Sequence, residues 1–99
     1  MYATMMRCDL GVPASAAALE RAARGLATAL VALPGFVAFV AIETDPAAGV
    51  VTAVYLAEEL AELAAAERVI AQWQCAQGAT LGSGIQRLGA GKVIAQQGL

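Results

Sequence analysis

The 99-residue sequence predicts an α+β domain with the element order β-α-β-β-α-β. Two alanine-rich segments carry apolar residues at helical spacing, and the segments around them are rich in β-branched and aromatic residues. Pro and Gly clusters separate these segments. The order is that of the ferredoxin-like plan, in which two helices cover one face of an antiparallel sheet. One domain over residues 1–99 is expected at this length.

The first strand and the first helix form the N-terminal third of the chain. The mixture of Tyr, Thr and Met from Tyr2 to about Leu10 predicts a strand. Pro13 or Ser15 then opens a helix that runs to about Leu33, since proline suits the first turn and serine suits the N-cap. This helix has one apolar stripe, formed by Leu19, Ala22, Ala23, Leu26, Leu30 and Leu33.

A β-hairpin is predicted in the middle of the chain. Pro34-Gly35 stops the helix, and Phe36 to Thr44 reads as the second strand. Asp45 to Gly49 is a turn-rich loop, and Val50 to about Leu56 is the third strand. A short loop with Pro and Gly between two strands is typical of an antiparallel pair.

The second helix is predicted from about Glu58 to Gln77, followed by a loop from Gly78 to Gly84. Its apolar stripe is Leu60, Leu63, Ala66, Ile70 and Trp73. Ile85–Leu88 and Lys92–Gln97 are strand-like, and Gly89-Ala90-Gly91 between them indicates a bulge, a bend or two short strands.

Composition excludes several classes of function. The six basic residues are scattered and the net charge is −2, which argues against a nucleic-acid surface. Histidine is absent, which removes histidine triads and histidine-ligated zinc or haem. We therefore expect no metal and no cofactor. Cys8 and Cys75 could form a disulfide, but two buried free thiols in a cytoplasmic protein without a signal peptide are favoured.

A membrane span is the alternative for the uncharged stretch between Arg24 and Glu43. Its 18 residues are roughly the minimum for a spanning helix. Pro34-Gly35 interrupts it, and the apolar period changes from helical to strand-like there. A helix, a turn and a strand explain both features, so no membrane association is expected.

The predicted strands are apolar on both faces. The third strand has Val50, Val54 and Leu56 on one side and Val51, Ala53 and Tyr55 on the other. Two helices on one face leave the other face uncovered, and a large exposed apolar patch favours aggregation. A homodimer through facing sheets is the simplest arrangement, because two-fold dimers are the commonest assemblies.

The element order and two short segments resemble the dimeric α/β barrel superfamily, and within it the antibiotic-biosynthesis-monooxygenase-like domains. These segments are the Leu33-Pro34-Gly35-Phe36 junction and Tyr55-Leu56-Ala57-Glu58-Glu59-Leu60. The resemblance implies a ferredoxin-like protomer whose sheet pairs with a second copy in a barrel. It also implies a pocket between sheet and helices.

The function that this resemblance implies is oxidation of hydrophobic, electron-rich small molecules by a cofactor-independent monooxygenase. Family enzymes often carry a tryptophan at the end of the third strand and a histidine in or near the second helix. Leu56 stands at the approximate position of that tryptophan, and the sequence contains no histidine. The alternative is a non-catalytic dimeric ligand-binding or structural module of the same fold. Whether the protein is an enzyme stays open at this point, and no catalytic residue is assigned.

Four residues are candidates for the pocket: Tyr55, Trp73, Arg7 and Arg87. Trp73 could orient a flat ligand or anchor the core, and Tyr55 could donate a hydrogen bond or pack with its hydroxyl at an edge. An arginine could stabilise a substrate anion, although a structural ion pair is the simpler role. The candidate ion pairs are Arg7 with Glu43 and Arg87 with Asp9.

Overall fold

Six elements occur in the order β1-α1-β2-β3-α2-β4 in a computed structural model of the chain. The structure describes residues 1–9, 16–45, 47, 49–81 and 85–98, and at 9, 16, 19, 74–81 and 85 it describes the backbone alone. The elements are β1 Tyr2–Asp9, α1 Ala16–Val31, β2 Phe36–Asp45, β3 Val50–Ala57, α2 Leu60–Leu81 and β4 Ile85–Lys92.

The four strands form one antiparallel sheet in the order β2-β3-β1-β4. The first strand lies in the interior, where Tyr2 pairs with Ala57 of β3 on one side and with Lys92 of β4 on the other. The hairpin of β2 and β3 forms the opposite margin. This topology confirms the predicted ferredoxin-like fold.

The first helix ends at Val31, two residues before the predicted end. The amide of Leu33 donates to the carbonyl of Leu30, and the amide of Phe36 donates to that of Leu33, so a pair of tight turns replaces the last helical turn. Gly35 has φ +73°, a left-handed conformation that glycine adopts without steric cost. The predicted start at Pro13 or Ser15 lies outside the described residues.

The second helix begins at Leu60, two residues later than predicted, and extends to Leu81. Its start is fixed by Glu62, whose carboxylate accepts a hydrogen bond of 2.8 Å from the amide of Glu59. This is one half of a capping box. The helix continues through Gly78, where a loop was predicted, because an interior glycine costs only about 1 kcal/mol.

The fourth strand is continuous from Ile85 to Lys92 and includes the glycine segment. Of the three predicted alternatives, a bulge is present: the register shifts between Met5 and Met6 of β1, and Leu88 is the extra residue. The prediction of a strand from Lys92 to Gln97 is wrong. Beyond Lys92 the described chain continues the pairing with one backbone hydrogen bond, which the amide of Val93 donates to the carbonyl of Met1.

Both helices pack on the same face of the sheet, called the covered face below. Its core side chains come from β1, β3, α1 and α2, and they are Met6, Leu26, Leu30, Tyr55, Ala57, Leu63, Ala66 and Ile70. Tyr2, Leu33, Phe36, Phe39, Val69 and Trp73 pack around them. No described helix is both long and apolar enough to cross a membrane.

The opposite face of the sheet, called the open face below, carries no helix. The strand register assigns it Ala3, Met5 and Arg7 of β1, Thr52, Val54 and Leu56 of β3, Ala38, Val40, Ile42 and Thr44 of β2, and Gly89 and Gly91 of β4. Met5, Val40 and Ile42 are 43%, 48% and 49% exposed. Apolar side chains are thus left in solvent, as the alternation along the strands predicted.

Candidate functional site

A small apolar cavity lies between the covered face and the two helices. Five elements contribute to its lining: β1, β2 and β3 form the floor, and α1 and α2 form the roof. The lining side chains are Cys8, Ala23, Leu26, Phe39, Ala41, Val51, Ala53 and Trp73. The cavity lies toward the Cys8 end of β1, away from the start of α2.

The space exists because alanine occupies three of the facing positions. Ala41 and Ala53 are directly paired on neighbouring strands, and Ala23 lies above them on α1. Trp73 closes one side, with its indole nitrogen 3.9 Å from the point where a Cβ of Gly25 would lie. Gly25 therefore faces the second helix, and the indole nitrogen lies beside α1.

The cavity is narrow. The centre of a water molecule can occupy about 10 Å³ within it, which is room for about one water. Pockets for drug-sized ligands measure roughly 300–1,000 Å³. A ligand larger than a few atoms would have to separate the helices from the sheet or displace the Trp73 ring.

The thiol of Cys8 is the reactive group at this cavity. Cys8 is buried and free, and burial raises the pKa of its thiol to about 11. The neutral thiol therefore dominates at physiological pH, and it is a poor nucleophile. The prediction of a buried free thiol is confirmed for Cys8, whereas the side chain of Cys75 lies outside the described residues.

Tyr55 lies in the core and does not line the cavity. Its side chain is 1% exposed, and its ring packs against Phe36 with the centroids 5.8 Å apart. The hydroxyl is buried and has no hydrogen-bond partner in the described part of the chain, so the expectation of a hydroxyl at an edge is wrong. Burial, and secondarily the negative charge of Glu62, raise the pKa of Tyr55.

Arg87 belongs to a cluster that joins β4 and β1 to the second helix. Its Nη2 donates to both carboxylate oxygens of Glu67, at 2.8 and 2.6 Å. The hydroxyl of Thr4, which is buried, donates to the same carboxylate at 3.1 Å. The hydrogen bonds to Glu67 raise the pKa of Arg87. Among the described side chains the partner of Arg87 is therefore Glu67 of α2, because Arg87 lies on the covered face beneath that helix. The side chain of Asp9, the predicted partner, lies outside the described residues.

Arg7 lies on the open face, on the opposite side of the sheet from the cavity. It is paired with Thr52, whereas Glu43 is paired with Val51, and successive residues of a strand point to opposite faces. The predicted ion pair between Arg7 and Glu43 is therefore wrong, since the sheet separates the two side chains.

Of the four predicted pocket residues, the structure places Trp73 at the cavity. Tyr55 lies in the core, Arg87 in its cluster with Glu67, and Arg7 on the open face. The other lining residues, which are mostly small, are not among the predicted pocket residues. The detectable signal was the run of alternating positions Val51, Ala53 and Tyr55, in which alanine stands between larger side chains. Among the described residues no group of carboxylates and thiols could hold a metal ion.

Fold and site together define a ferredoxin-like α+β domain with an apolar cavity beneath two helices and an uncovered sheet face. The solved structure titled "Putative antibiotic biosynthesis monooxygenase from Nitrosomonas europaea" has the same fold, with a TM-score of 0.74. The match covers 98% of this chain and 93% of the other, at 12% sequence identity. The predicted likeness to antibiotic-biosynthesis-monooxygenase-like folds is thus confirmed at the level of fold.

No family model matches the sequence, and no curated protein sequence matches it.

Proposed function

We propose that this protein is a homodimeric binding module for a small, uncharged, apolar molecule, held between the helices and the sheet. The observation that carries the proposal is the cavity lining. Its side chains are aliphatic or aromatic, apart from the neutral thiol of Cys8. An apolar lining favours an apolar ligand, because a charged ligand would lose its hydration without a compensating partner.

The size of the cavity supports binding of a small molecule in preference to chemistry on a polycyclic one. The cavity has room for about one water, so a larger ligand can enter only if the helices move away from the sheet. Ala23, Ala41 and Ala53 bring no long side chains that would have to be displaced. A one-ring or branched aliphatic molecule is the class of ligand that would require the smallest separation of the helices from the sheet.

The uncovered sheet face supports the homodimer. Met5 of β1 and Val40 and Ile42 of β2 remain about half exposed, and they lie on one continuous surface. A second copy would bury this surface with its own equivalent surface, because the same residues of both copies form a two-fold interface. Sedimentation of the purified protein tests this part directly: a dimer at micromolar concentration is expected, and a monomer contradicts it.

Trp73 provides the test of the cavity, because it is the single tryptophan of the chain and lines the site. The fluorescence of Trp73 should shift and saturate on titration with probes such as toluene or a monoterpene. Charged probes of similar size, such as benzoate, should give no saturable response. Absence of saturable binding of any neutral probe would contradict the proposal.

A matched pair of variants locates the binding site. Ala23→Leu should fill the cavity and abolish the fluorescence response. Ala29→Leu, on the exposed side of the same helix, should preserve it. Equal responses of the two variants would show that the probes bind elsewhere.

The second candidate is a cofactor-independent monooxygenase for hydrophobic, electron-rich small molecules. It is supported by the fold shared with the structure titled a putative antibiotic biosynthesis monooxygenase. An oxygenase of this type needs a fixed polar group for the substrate anion. In the described cavity lining, the side chains with a polar group that could contact such an anion are Trp73, through its indole, and Cys8, through its thiol.

Oxygen consumption with a panel of hydroquinones and anthrones tests this second candidate. Turnover that Trp73→Phe or Ala23→Leu reduces, and Ala29→Leu leaves unchanged, would support an enzyme. Saturable binding without oxygen consumption would support the binding module.

A further inference from the structure

Gly25, the one glycine of α1, has no packing reason to be glycine in this structure. It lies inside a regular helix, and its φ is not positive. Apart from its own helix, a Cβ built there would meet one described atom within 4 Å, the indole nitrogen of Trp73 at 3.9 Å. That distance is an ordinary van der Waals contact, so alanine fits. Alanine would also stabilise the helix by about 1 kcal/mol, and a residue that lowers stability in this way often serves function.

The space beside Gly25 adjoins the ring that limits the cavity. Trp73 lines the cavity and is partly exposed, and Gly25 is exposed. The indole therefore has the cavity on one side and the surface of α1 on another. At Gly25 the ring can move outward over the helix without meeting a side chain, whereas the methyl group of an alanine would stand in its path.

Other parts of the lining are held more firmly. Cys8, Val51 and Ala53 are buried, and each belongs to a strand that is hydrogen-bonded to its neighbours. Leu26 is buried in the core beneath α1. Movement of these side chains would disturb the sheet or the core, whereas outward movement of a partly exposed ring would disturb neither.

We propose that Gly25 determines the size of ligand that the cavity admits, by leaving room for the Trp73 ring to move outward over α1. This inference rests on the binding function proposed above and deepens it. With the ring in its present position the cavity has room for about one water. With the ring displaced, the volume that it leaves becomes available to a one-ring ligand, as in pockets that open only in a minor conformation.

Cys8 provides a measure of the opening, because its buried thiol lines the cavity. Methyl and benzyl methanethiosulfonate modify a thiol by the same reaction, in which the thiolate bonds to the reagent's divalent sulfur and methanesulfinate leaves. The two reagents differ by one aromatic ring. Mass spectrometry of peptides separates modification of Cys8 from that of Cys75. The ratio of the benzyl rate to the methyl rate cancels the thiolate fraction and global unfolding, because both change the two rates alike.

The variant Gly25→Ala should lower this ratio about tenfold, because displacing the ring against the added methyl group creates an overpacked state. Thr28→Ala is the matched control, since it raises helix propensity at an exposed position of the same helix. Its ratio should equal that of the wild type. An unchanged ratio in Gly25→Ala, or an equal decrease in Thr28→Ala, would overturn the inference.

Removing the ring tests whether Gly25 acts through Trp73. In Trp73→Ala the ratio should rise, and adding Gly25→Ala should then have no further effect, because no ring remains to be blocked. Trp73→Leu serves the same purpose if circular dichroism shows that Trp73→Ala does not fold. A tenfold decrease on either background would overturn the inference, because alanine would then act without the ring.

The outcomes separate this inference from the proposed function, because modification of Cys8 requires no bound ligand. Absence of saturable binding of neutral probes overturns the proposed function, and a decrease of the ratio in Gly25→Ala still supports the movement of the ring. Saturable binding of toluene with an unchanged ratio in Gly25→Ala overturns the role of Gly25 alone.

Discussion

The two faces of the sheet have similar composition and opposite surroundings. On the covered face, alternate residues of β1 and β3 such as Met6, Cys8 and Ala53 are less than 10% exposed. On the open face, the intervening Met5 remains 43% exposed. Apolar character alone therefore does not decide which residues stabilise the protomer. What decides is the presence of a second layer, because burial contributes roughly 25 cal/mol for each Å² removed from water.

The largest expected difference between the faces is in the cost of truncating an aliphatic side chain. Leu30 of α1 is fully buried against the covered face, and Leu30→Ala should lower the free energy of unfolding by about 2–5 kcal/mol. Ile42→Ala on the open face should cost less than about 1 kcal/mol when the protein is dilute enough to be monomeric. Urea unfolding followed by circular dichroism measures both.

Protein concentration sharpens this comparison. The cost of Ile42→Ala should grow with concentration if a second copy covers the open face, and the cost of Leu30→Ala should not. Equal costs for the two variants in dilute solution would show that the open face is already covered within the protomer.

Gly35→Ala should have the next largest effect, at the junction where α1 turns into β2. An alanine would adopt φ +73° at a cost of about 1–2 kcal/mol. Its Cβ would also collide with the carboxylate of Glu62. Displacing that carboxylate breaks the cap on Glu59 and costs about 1 kcal/mol more. Thermal unfolding should show the sum, and Glu62→Ala in the same assay should show only the cost of losing the cap.

Burial of Cys8 on the covered face should also make the stability of the folded protein decrease at alkaline pH. The folded state holds the thiol proton up to a pKa of about 11, above the usual 9.0 of a cysteine. Stability from this group is therefore fully present below pH 9 and is lost as pH rises toward 11. At pH 10, midway between the two pKa values, the loss should be about 1 kcal/mol, which is smaller than the effect of Gly35→Ala.

The difference in unfolding free energy between wild type and Cys8→Ala isolates this contribution, because Tyr55 titrates in both proteins. That difference should change between pH 9 and 11 and stay constant between pH 6 and 8. A flat difference across the whole range would show that the thiol is accessible to water.

Tyr55→Phe should have the smallest effect. The variant keeps the ring and removes a buried hydroxyl that has no hydrogen-bond partner among the described residues. Stability should therefore stay constant or rise by up to about 1 kcal/mol. Tyr55→Leu, which also removes the contact with Phe36, should destabilise the protein. A clear loss of stability in Tyr55→Phe would show that the hydroxyl has a partner.

The order and number of elements were predictable because local signals agree with one another. Helical spacing of leucines, the Pro34-Gly35 junction and the strand alternation all indicate the same plan. Helix limits were less predictable. The start of α2 depends on Glu62 reaching the amide of Glu59, and its extension past Gly78 outweighs a turn signal that is strong in isolation.

The site was only partly predictable. Trp73 was identified from its place on the apolar stripe, whereas the alanines that create the space beside it carry no chemical signal in sequence. The partner of Arg87 could not be found by proximity along the chain. Glu67 lies 20 residues away and meets Arg87 only because α2 crosses above β4.

The sequence by itself determined the element order and the apolar character of both sheet faces, because local propensity and periodicity depend on neighbours within a few residues. Only the tertiary structure decided which face the helices cover, where alanines on three elements leave a cavity, and which charges pair. Those features depend on the register of strands and the placement of helices, which bring together residues that are far apart in sequence.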